Sequence, residues 1–146
     1  MQKITADQMT KPIVSVVMAA YNEEKHIKEA IDSILCQTYD SFELVIVNDG
    51  STDETENIIL SYKDPRIIYI KNEQNLKLIA SLNTGLKAAK GMYVARMDAD
   101  DISLIDRLEK QVAYMESNPE IGISGAQLII FGNISGTMSY PLNHED

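Results

Sequence analysis

The sequence predicts a doubly wound α/β fold, in which helices cover both faces of a mainly parallel sheet. Short apolar runs rich in valine and isoleucine alternate along the chain with segments of helical periodicity. The first four runs are almost continuously apolar, as expected for parallel strands that are covered on both faces. Strands and helices that alternate in this way are joined by right-handed crossovers, which together build a doubly wound sheet.

Five apolar runs are the predicted strands. They are Ile13–Met18, Phe42–Val47, Ile67–Ile70, Met92–Met97 and Ile121–Phe131. The run Ile13–Tyr21 is the longest apolar stretch around a predicted strand, and it is far shorter than the roughly 20 residues of a membrane span. We therefore expect no transmembrane segment in this chain.

Four helices are predicted between and after these strands. In three of them apolar residues recur three and four positions apart, which is the spacing of a buried helix face. These stripes are Ile27, Ala30, Ile31, Ile34 and Leu35 in the first helix, Leu78, Leu82, Leu86 and Ala89 in the third, and Leu104, Leu108, Val112 and Met115 in the fourth. The second helix is predicted to open on a capping box at Ser51-Thr52-Asp53-Glu54 and to reach about Ser61. Gly91 is the expected C′ residue of the third helix, and Asn118-Pro119 is expected to end the fourth.

The composition indicates one globular domain, since the chain has 146 residues of which 45% are hydrophobic. We expect a polar tail over residues 1–12, the domain over residues 13–131, and a loop over residues 132–146 at which the chain looks cut. Residues 1–10 lack the apolar core of a secretory signal, and the single Cys36 suits a reducing compartment. These features predict a cytoplasmic protein, compatible with a peripheral position at the inner face of the membrane in a full-length form.

The formal net charge of −9 argues against a nucleic-acid-binding surface, because phosphate backbones are bound by faces rich in lysine and arginine. An acidic protein can still bind a phosphorylated small molecule when a divalent cation lies between the two. The motifs of dinucleotide-binding and P-loop proteins are absent from the sequence. His26 and His144 have no second histidine or cysteine nearby, so a zinc site is not expected. Cys36 is interpreted as a packing residue rather than a nucleophile.

Polar residues follow each of the first four predicted strands. In an open parallel sheet, ligands bind beyond the carboxyl ends of the strands, so these loops should converge on one site. The loops are Ala19-Ala20-Tyr21-Asn22-Glu23, Asn48–Asp53, Asn72–Asn75 and Asp98–Asp101. Each loop alone is weak evidence, because loops are polar in general, and the prediction depends on their convergence.

The acidic run after the fourth strand has two interpretations. Asp98, Asp100 and Asp101 could form a solvated acidic turn, in which Asp101 caps the following helix. Alternatively, Asp98 and Asp100 point the same way and offer two hard oxygen ligands, which suit Mg²⁺ or Mn²⁺. Two further residues have two interpretations as well. Asp49 could orient the Gly50-Ser51 turn or accept a hydrogen bond from a nucleobase, and Tyr21 could close the sheet edge or stack on a base.

Taken together, these loops resemble those of the inverting, GT-A glycosyltransferases of family 2. The segments that carry the resemblance are Val14–Glu23, Val47–Asp53, Leu82–Gly85 and Ala95–Asp101, within a stretch from about Ile13 to Phe131. The resemblance implies a Rossmann-like nucleotide-binding half that binds a nucleotide-diphosphate sugar, most typically a UDP-sugar. It also implies transfer of the sugar, with inversion, to a saccharide or lipid-linked saccharide acceptor in cell-surface polysaccharide synthesis.

The resemblance further implies the roles of individual residues. Tyr21 would pack on the base, and Asp49 would accept a hydrogen bond from it. Asp98 would lie near the ribose and the metal, and Asp100 would coordinate a Mn²⁺ or Mg²⁺ ion that bridges the phosphates. The implied donor-binding residues are Ala19, Ala20, Tyr21, Asn22, Glu23, Asp49, Asp98 and Asp100.

The sequence departs from the family's pattern in two places, with Ala19 where proline is usual and Lys77 where glycine is common. Lys77 could reach the donor phosphates or project into solvent. The family's general base is expected beyond Asp146, so we expect this chain to bind donor but to transfer sugar poorly. The alternatives are a non-catalytic nucleotide-binding module of the same fold and, more distantly, a phosphoacceptor signalling domain.

Overall fold

A four-stranded parallel sheet organises the computed structural model, which describes residues 11–130 and 136–138. Its strands are β1 (Val14–Ala20), β2 (Phe42–Asn48), β3 (Ile67–Lys71) and β4 (Tyr93–Asp98), in the order β3-β2-β1-β4. The register sets Ala20 beside Asn48 and Ala19 beside Asp98, so that the carboxyl ends of the strands lie level at one edge. The predicted doubly wound sheet is confirmed for these four strands.

Four helices connect and follow the strands: α1 (Ile27–Leu35), α2 (Thr55–Ser61), α3 (Leu78–Ala88) and α4 (Arg107–Ser117). The predicted capping box of α2 is wrong, because this helix begins at Thr55 without a side-chain cap from Glu54. The Thr55 N–H instead donates to Asp53 Oδ1 at 3.0 Å. The Ser51 hydroxyl does not cap the helix, and it accepts a hydrogen bond from the Asn22 N–H instead.

One face of the sheet carries the apolar core. Alternate residues of β1 and β2 pack there with buried residues of α1, α2 and α4. The strand residues of this cluster are Val14, Val16, Met18, Ala20, Phe42, Leu44, Ile46 and Met97, and the helix residues are Ile27, Ala30, Ile31, Ile34, Ile59, Leu108 and Val112. The predicted stripe of α1 is confirmed, because its first four members are fully buried and only Leu35 is partly exposed.

Helix α3 covers the opposite face of the sheet, with small residues rather than large ones. Its buried residues are Ser81 and Gly85, whereas Leu78 and Leu86 are 49% and 47% exposed. A Cβ at Gly85 would lie 2.6 Å from Val17 Cγ1 and 3.3 Å from Val47 Cγ2, so the helix backbone lies directly on β1 and β2. The predicted leucine stripe is therefore wrong, because close approach of this helix requires small side chains on its buried face.

Three further expectations about element ends and packing are wrong. Helix α4 begins at Arg107, so Leu104 precedes it and is 67% exposed. Gly91 has no left-handed backbone, and its N–H donates to Ser15 Oγ at 2.8 Å, where a Cβ would meet Ser15 N at 2.5 Å. Gly91 is thus needed for close approach to β1. Cys36, at the end of α1, is exposed instead of packed.

The chain divides into two compact units, Met1–Val112 and Ala113–Asp146. In the second unit, β5 (Leu128–Ile130) pairs antiparallel with β6 (Gly136–Met138) in a two-stranded sheet. The strand expected over Ile121–Phe131 is thus much shorter and does not join the parallel sheet, and β6 falls where a loop was expected. Most of the predicted tail and of residues 132–146, including His144, lies outside the described residues. Within the described ranges, none of the helices is long and apolar enough to cross a membrane.

Candidate functional site

A cavity of about 360 Å³ opens at the carboxyl edge of the parallel sheet. All four loops that follow the strands contribute to it. Its lining residues are Ala19, Ala20, Tyr21, Glu23, Asp49, Asn75, Lys77, Leu78, Asp98, Ala99 and Asp100. Of the predicted donor-binding residues, the structure brings all but Asn22 together around this cavity. A second, open cavity of about 490 Å³ between α1 and α2 lies away from these loops and is lined by Lys28, Asn57, Ile58, Ser61 and Tyr62.

Asp98 and Asp100 stand at the end of β4 on either side of Ala99, which is buried in the core and anchors the turn between them. Asp98 forms an ion pair with Arg96, two residues earlier on the same strand. Asp100 is exposed. Across the cavity, burial and then the charge of Asp100 raise the pKa of Glu23 above its usual value. The carboxylates of two separate loops thus interact through the cavity.

Asp101 does not cap α4, because the helix begins six residues later at Arg107. The Asp101 N–H closes a turn onto the Asp98 carbonyl at 3.3 Å. Burial, followed by the charges of Asp98 and Asp100, raises the pKa of Asp101, while Arg96 and Arg107 act in the opposite direction. Asp101 therefore belongs to the same electrostatic cluster as the other two aspartates.

Asp49 organises the loop that leads into α3. Its side chain is buried, and Oδ1 accepts hydrogen bonds from Asn72 Nδ2 and from the Leu76 N–H, each at 2.8 Å. Burial alone would raise the pKa of Asp49, but hydrogen bonds from Asn72, Leu76, Ser81 and Lys77 outweigh it and hold the pKa below its usual value. The Gly50-Ser51 turn is held instead by Asn48, whose Oδ1 accepts the Ser51 N–H at 3.0 Å. The ionised carboxylate thus fixes the far wall of the cavity.

Lys77, at the amino end of α3, has an unusual backbone conformation with φ 73° and ψ 161°. This region is adopted almost exclusively by glycine, and another residue is held there at a cost of about 1–3 kcal/mol. The Lys77 N–H donates to Asn75 Oδ1 at 2.9 Å, and its hydrogen bond to the Asp49 carboxylate helps to lower the pKa of Asp49. The same loop passes close to Gly50, where φ is 70° and a Cβ would lie 2.8 Å from the Gln74 carbonyl carbon. The surrounding contacts therefore impose the conformation of Lys77.

The loops after β1 and β2 are joined by reciprocal hydrogen bonds. The Asn22 N–H donates to Ser51 Oγ at 3.1 Å, and Asn22 Oδ1 accepts the Thr52 N–H at 2.8 Å. The Glu23 N–H donates to the buried Thr55 Oγ1 at 2.8 Å. Asn22 also has a positive φ of 57°. Its side chain thus connects the two loops, which explains why it does not line the cavity, while Tyr21 beside it is 43% exposed at the rim.

Gln37 anchors the segment that follows the acidic run. Its buried amide donates to Ser103 Oγ at 3.3 Å and to the Leu104 carbonyl at 2.7 Å, and its Oε1 accepts the Leu108 N–H at 3.0 Å. One side chain at the end of α1 therefore satisfies backbone groups on both sides of the start of α4. This fixes the chain that leads away from Asp98 and Asp100.

The oxygen ligands around the cavity fit a divalent cation that is shared with a phosphate ligand. Mg²⁺ and related ions are usually held by one or two carboxylates, with substrate phosphates and water completing the coordination. Asp98 and Asp100 supply two such carboxylates. Over the described part of the chain, no group of three or more histidine, cysteine, aspartate or glutamate side chains could hold a metal alone. The site therefore suits a cation that arrives with an anionic ligand.

Sequence reasoning missed part of this site. The loop Asn72–Asn75 was expected at this edge, but the hydrogen bonds that Asn72 and Ser81 make to Asp49 were not, because local spacing does not reveal such contacts. Arg96 lies within a recognised segment, but its pairing with Asp98 follows only from the side chains' positions. Lys77 offered a signal, since it occupies a position where glycine is common in the family that the sequence resembles.

Comparisons with known proteins identify relatives of this arrangement. The model of the family described as Glycosyl transferase family 2 matches residues 15–143. An uncharacterized glycosyltransferase of Methanocaldococcus jannaschii is 52% identical over 120 residues, which cover 80% of this chain and 41% of that protein. The UDP-Glc:alpha-D-GlcNAc-diphosphoundecaprenol beta-1,3-glucosyltransferase WfaP of Escherichia coli is 41% identical over 105 residues, which cover 72% of this chain and 42% of that protein. The chain thus spans less than half the length of these relatives.

Two solved structures share the fold. TarS of S. aureus in complex with UDP-GlcNAc matches with a TM-score of 0.70 and 31% identity, over 73% of this chain and 32% of that chain. The mannosyltransferase PcManGT of Pyrobaculum calidifontis, in complex with GDP-Man and Mn²⁺, matches with a TM-score of 0.66 and 29% identity, over 73% of this chain and 33% of that chain. The parallel sheet with helices on both faces is therefore the architecture of these glycosyltransferases.

Proposed function

Because the chain belongs to glycosyl transferase family 2, we propose that it binds a nucleotide-diphosphate sugar, preferably a UDP-sugar, in the cavity at the carboxyl edge of its sheet. The observation that carries this proposal is the meeting of Tyr21, Asp49, Asp98 and Asp100 around one cavity. Two of the similar proteins support a uridine donor, since one is named for UDP-Glc and another is bound to UDP-GlcNAc.

In this proposal the base lies between Tyr21 and Asp49. Tyr21 is exposed enough at the cavity rim to offer a ring face to a nucleobase, a contact worth roughly 1–3 kcal/mol in nucleic-acid complexes. Asp49 is ionised and can accept a hydrogen bond from a ring N–H of uracil in addition to the bonds that it accepts from its own loop. Ala19, Ala20 and Glu23 line the adjoining wall, on the side of the ribose.

Asp98 and Asp100 would hold a divalent cation, Mn²⁺ or Mg²⁺, together with the donor diphosphate. The Mn²⁺ and GDP-Man bound to the similar mannosyltransferase support this assignment. When bound, such a cation would neutralise charge on the diphosphate leaving group. The acceptor oxygen would form its bond to the anomeric carbon from the opposite side as the carbon–oxygen bond to the phosphate breaks. The electron pair would leave with the diphosphate, and the proton of the acceptor hydroxyl would pass to a general base. This single displacement inverts the anomeric centre.

We further propose a saccharide or lipid-linked saccharide as the acceptor and cell-surface polysaccharide synthesis in the cytoplasm as the setting. The name of the similar E. coli enzyme, which specifies a diphosphoundecaprenol-linked acceptor, supports this class of acceptor. Poor transfer by the 146-residue chain, compared with its donor binding, stays a prediction.

The test is a calorimetric titration of the purified chain with UDP, GDP and dTDP, with and without Mn²⁺. In Mn²⁺ we expect UDP to bind more tightly than GDP or dTDP. Without Mn²⁺ we expect UDP to bind only weakly. Asp100→Asn should weaken UDP binding in Mn²⁺ at least about tenfold, because even the outer-shell partners of metal ligands are worth that much.

Asp106→Asn is the matched control, because Asp106 pairs with Lys110 outside the cavity. This variant should bind UDP as the wild type does. Nucleotide binding that is indifferent to Mn²⁺, or that survives Asp100→Asn unchanged, would contradict the metal assignment. The absence of any nucleoside diphosphate binding would contradict the proposed function.

A further inference from the structure

Lys77 is the cationic side chain among the described residues that line the cavity. Four carboxylates line it as well, those of Glu23, Asp49, Asp98 and Asp100. Of these, Asp98 already pairs with Arg96. A cavity of this charge repels an anionic ligand, so each positive group at its wall has a large influence on what can bind.

Within the described ranges, no carboxylate forms an ion pair with the Lys77 ammonium. Three lysines elsewhere in the first unit are paired with carboxylates, since Lys28 pairs with Asp32, Lys71 with Glu56 and Lys110 with Asp106. The Lys77 side chain is exposed and lines the same cavity as these carboxylates. Its ammonium is therefore available to a ligand.

The backbone at position 77 makes lysine a costly choice there. Its φ of 73° and ψ of 161° fall in a region where glycine has no penalty, so glycine would fulfil the backbone's role of turning into α3 more favourably. The two hydrogen bonds that hold the turn are made by the N–H, which glycine also has. The backbone therefore gives no reason for a lysine at position 77. The position of its side chain at the cavity does give one.

We propose that Lys77 is a donor-binding residue whose ammonium contacts the diphosphate of the nucleotide sugar, an inference that rests on the proposed function. Each phosphate of the donor carries a negative charge, and the departing nucleoside diphosphate carries one more. Lys77 and the cation bound by Asp98 and Asp100 would approach the diphosphate from different loops. Together they would offset the acidic wall, and the nucleoside portion would not depend on Lys77.

The test compares UDP with uridine, which lacks the phosphates, on the purified chain in Mn²⁺. Calorimetry measures UDP, and NMR chemical shifts measure the weaker uridine. Lys77→Met keeps a side chain at position 77 and removes its charge, and it should weaken UDP binding on the order of tenfold while leaving uridine binding unchanged. Lys77→Arg should retain most of the UDP affinity.

Lys77→Gly removes both the charge and the backbone penalty. It should show the same loss of UDP affinity together with a higher melting temperature, which establishes that the loss does not come from unfolding. Lys87→Met is the matched control, because Lys87 lies exposed in the last turn of α3, away from the cavity.

Wild-type UDP affinity in Lys77→Met or Lys77→Gly would overturn the inference and show that Lys77 only projects into solvent. An equal loss of UDP and uridine binding would overturn it as well, since the diphosphate would then not be the group contacted. If the wild-type chain itself bound no nucleoside diphosphate, the proposed function would fail and this inference with it. If the wild type bound UDP tightly and the Lys77 variants bound it equally well, this inference would fail while the proposed function would stand.

Discussion

Replacing Gly85 with alanine tests how closely α3 packs against the sheet. A Cβ at this position would lie 2.6 Å from Val17 Cγ1 and 3.3 Å from Val47 Cγ2. Favourable carbon–carbon contacts lie at about 3.5–4.0 Å, so the first distance is a severe overlap. Val17 and Val47 are themselves buried in the two central strands, and neither can turn into open space. Relief therefore requires that the helix move away from the sheet.

Two effects of opposite sign decide the size of the change. Alanine in place of glycine within a helix stabilises the folded state by about 0.8–1.0 kcal/mol. Overpacking of a well-packed core costs about 1–3 kcal/mol. Because an overlap at 2.6 Å is severe, the overpacking cost should lie in the upper part of that range. We therefore expect a net loss of about 1–2 kcal/mol, which in a chain of this size lowers the melting temperature by roughly 2–8 °C.

Urea denaturation of the purified chain measures this difference. Asn83→Ala is the control for helix propensity, since Asn83 is exposed on the same helix and its replacement should stabilise by a few tenths of a kcal/mol. Val17→Ala should relieve part of the overlap, giving a coupling with Gly85→Ala of about 0.5–3 kcal/mol in a double-mutant cycle. If Gly85→Ala proved more stable than the wild type, α3 would not lie this close to the sheet and the reasoning would be wrong.

Two further predictions concern the side chains that hold the site. Asp49→Asn should cost about 1–3 kcal/mol at neutral pH, because its amide would face the donors that the carboxylate now accepts. Since folding lowers the pKa of Asp49, its contribution is present above the unfolded-state pKa of about 3.9 and is lost as the pH falls through the lower folded-state value. Urea midpoints measured across acidic pH should therefore fall more steeply for the wild type than for Asp49→Asn, and parallel curves would contradict the lowered pKa. Gln37→Leu should destabilise by about 1–3 kcal/mol, because the Leu104 carbonyl and the Leu108 N–H lose their buried partner. An unchanged urea midpoint in this variant would show that water replaces the Gln37 amide without loss.

The strands and the positions of the loops could be predicted from the sequence because their signals are local. Short apolar runs mark β1 to β4, and the residues after each run lie at the ligand-binding edge by the geometry of a parallel sheet. Tyr21, Asp49, Asp98 and Asp100 follow from that rule alone. The roles proposed for them do not follow from that rule, and these came from the resemblance to the family.

The errors occurred where tertiary contacts override a local pattern. The leucines of α3 have helical spacing, but the face that packs is the one that allows the closest approach, through Ser81 and Gly85. The spacing of Ser51 and Glu54 fits a capping box, but the Ser51 hydroxyl accepts a hydrogen bond from Asn22 in the loop after β1. Asp101 precedes an apolar periodic stretch, but α4 starts only at Arg107. In each case a partner distant in sequence decides the outcome.

The joined loops after β1 and β2 have a consequence for protein engineering. Backbone N–H groups of residues 22–24 donate to Ser51, Thr55 and Asp53 side chains, while Asn22 and Glu24 side chains accept from residues 52 and 54. A transplant of either loop from another enzyme would leave donors of its neighbour without acceptors. The two segments therefore act as one structural unit, and a chimaera with a relative has to replace both together.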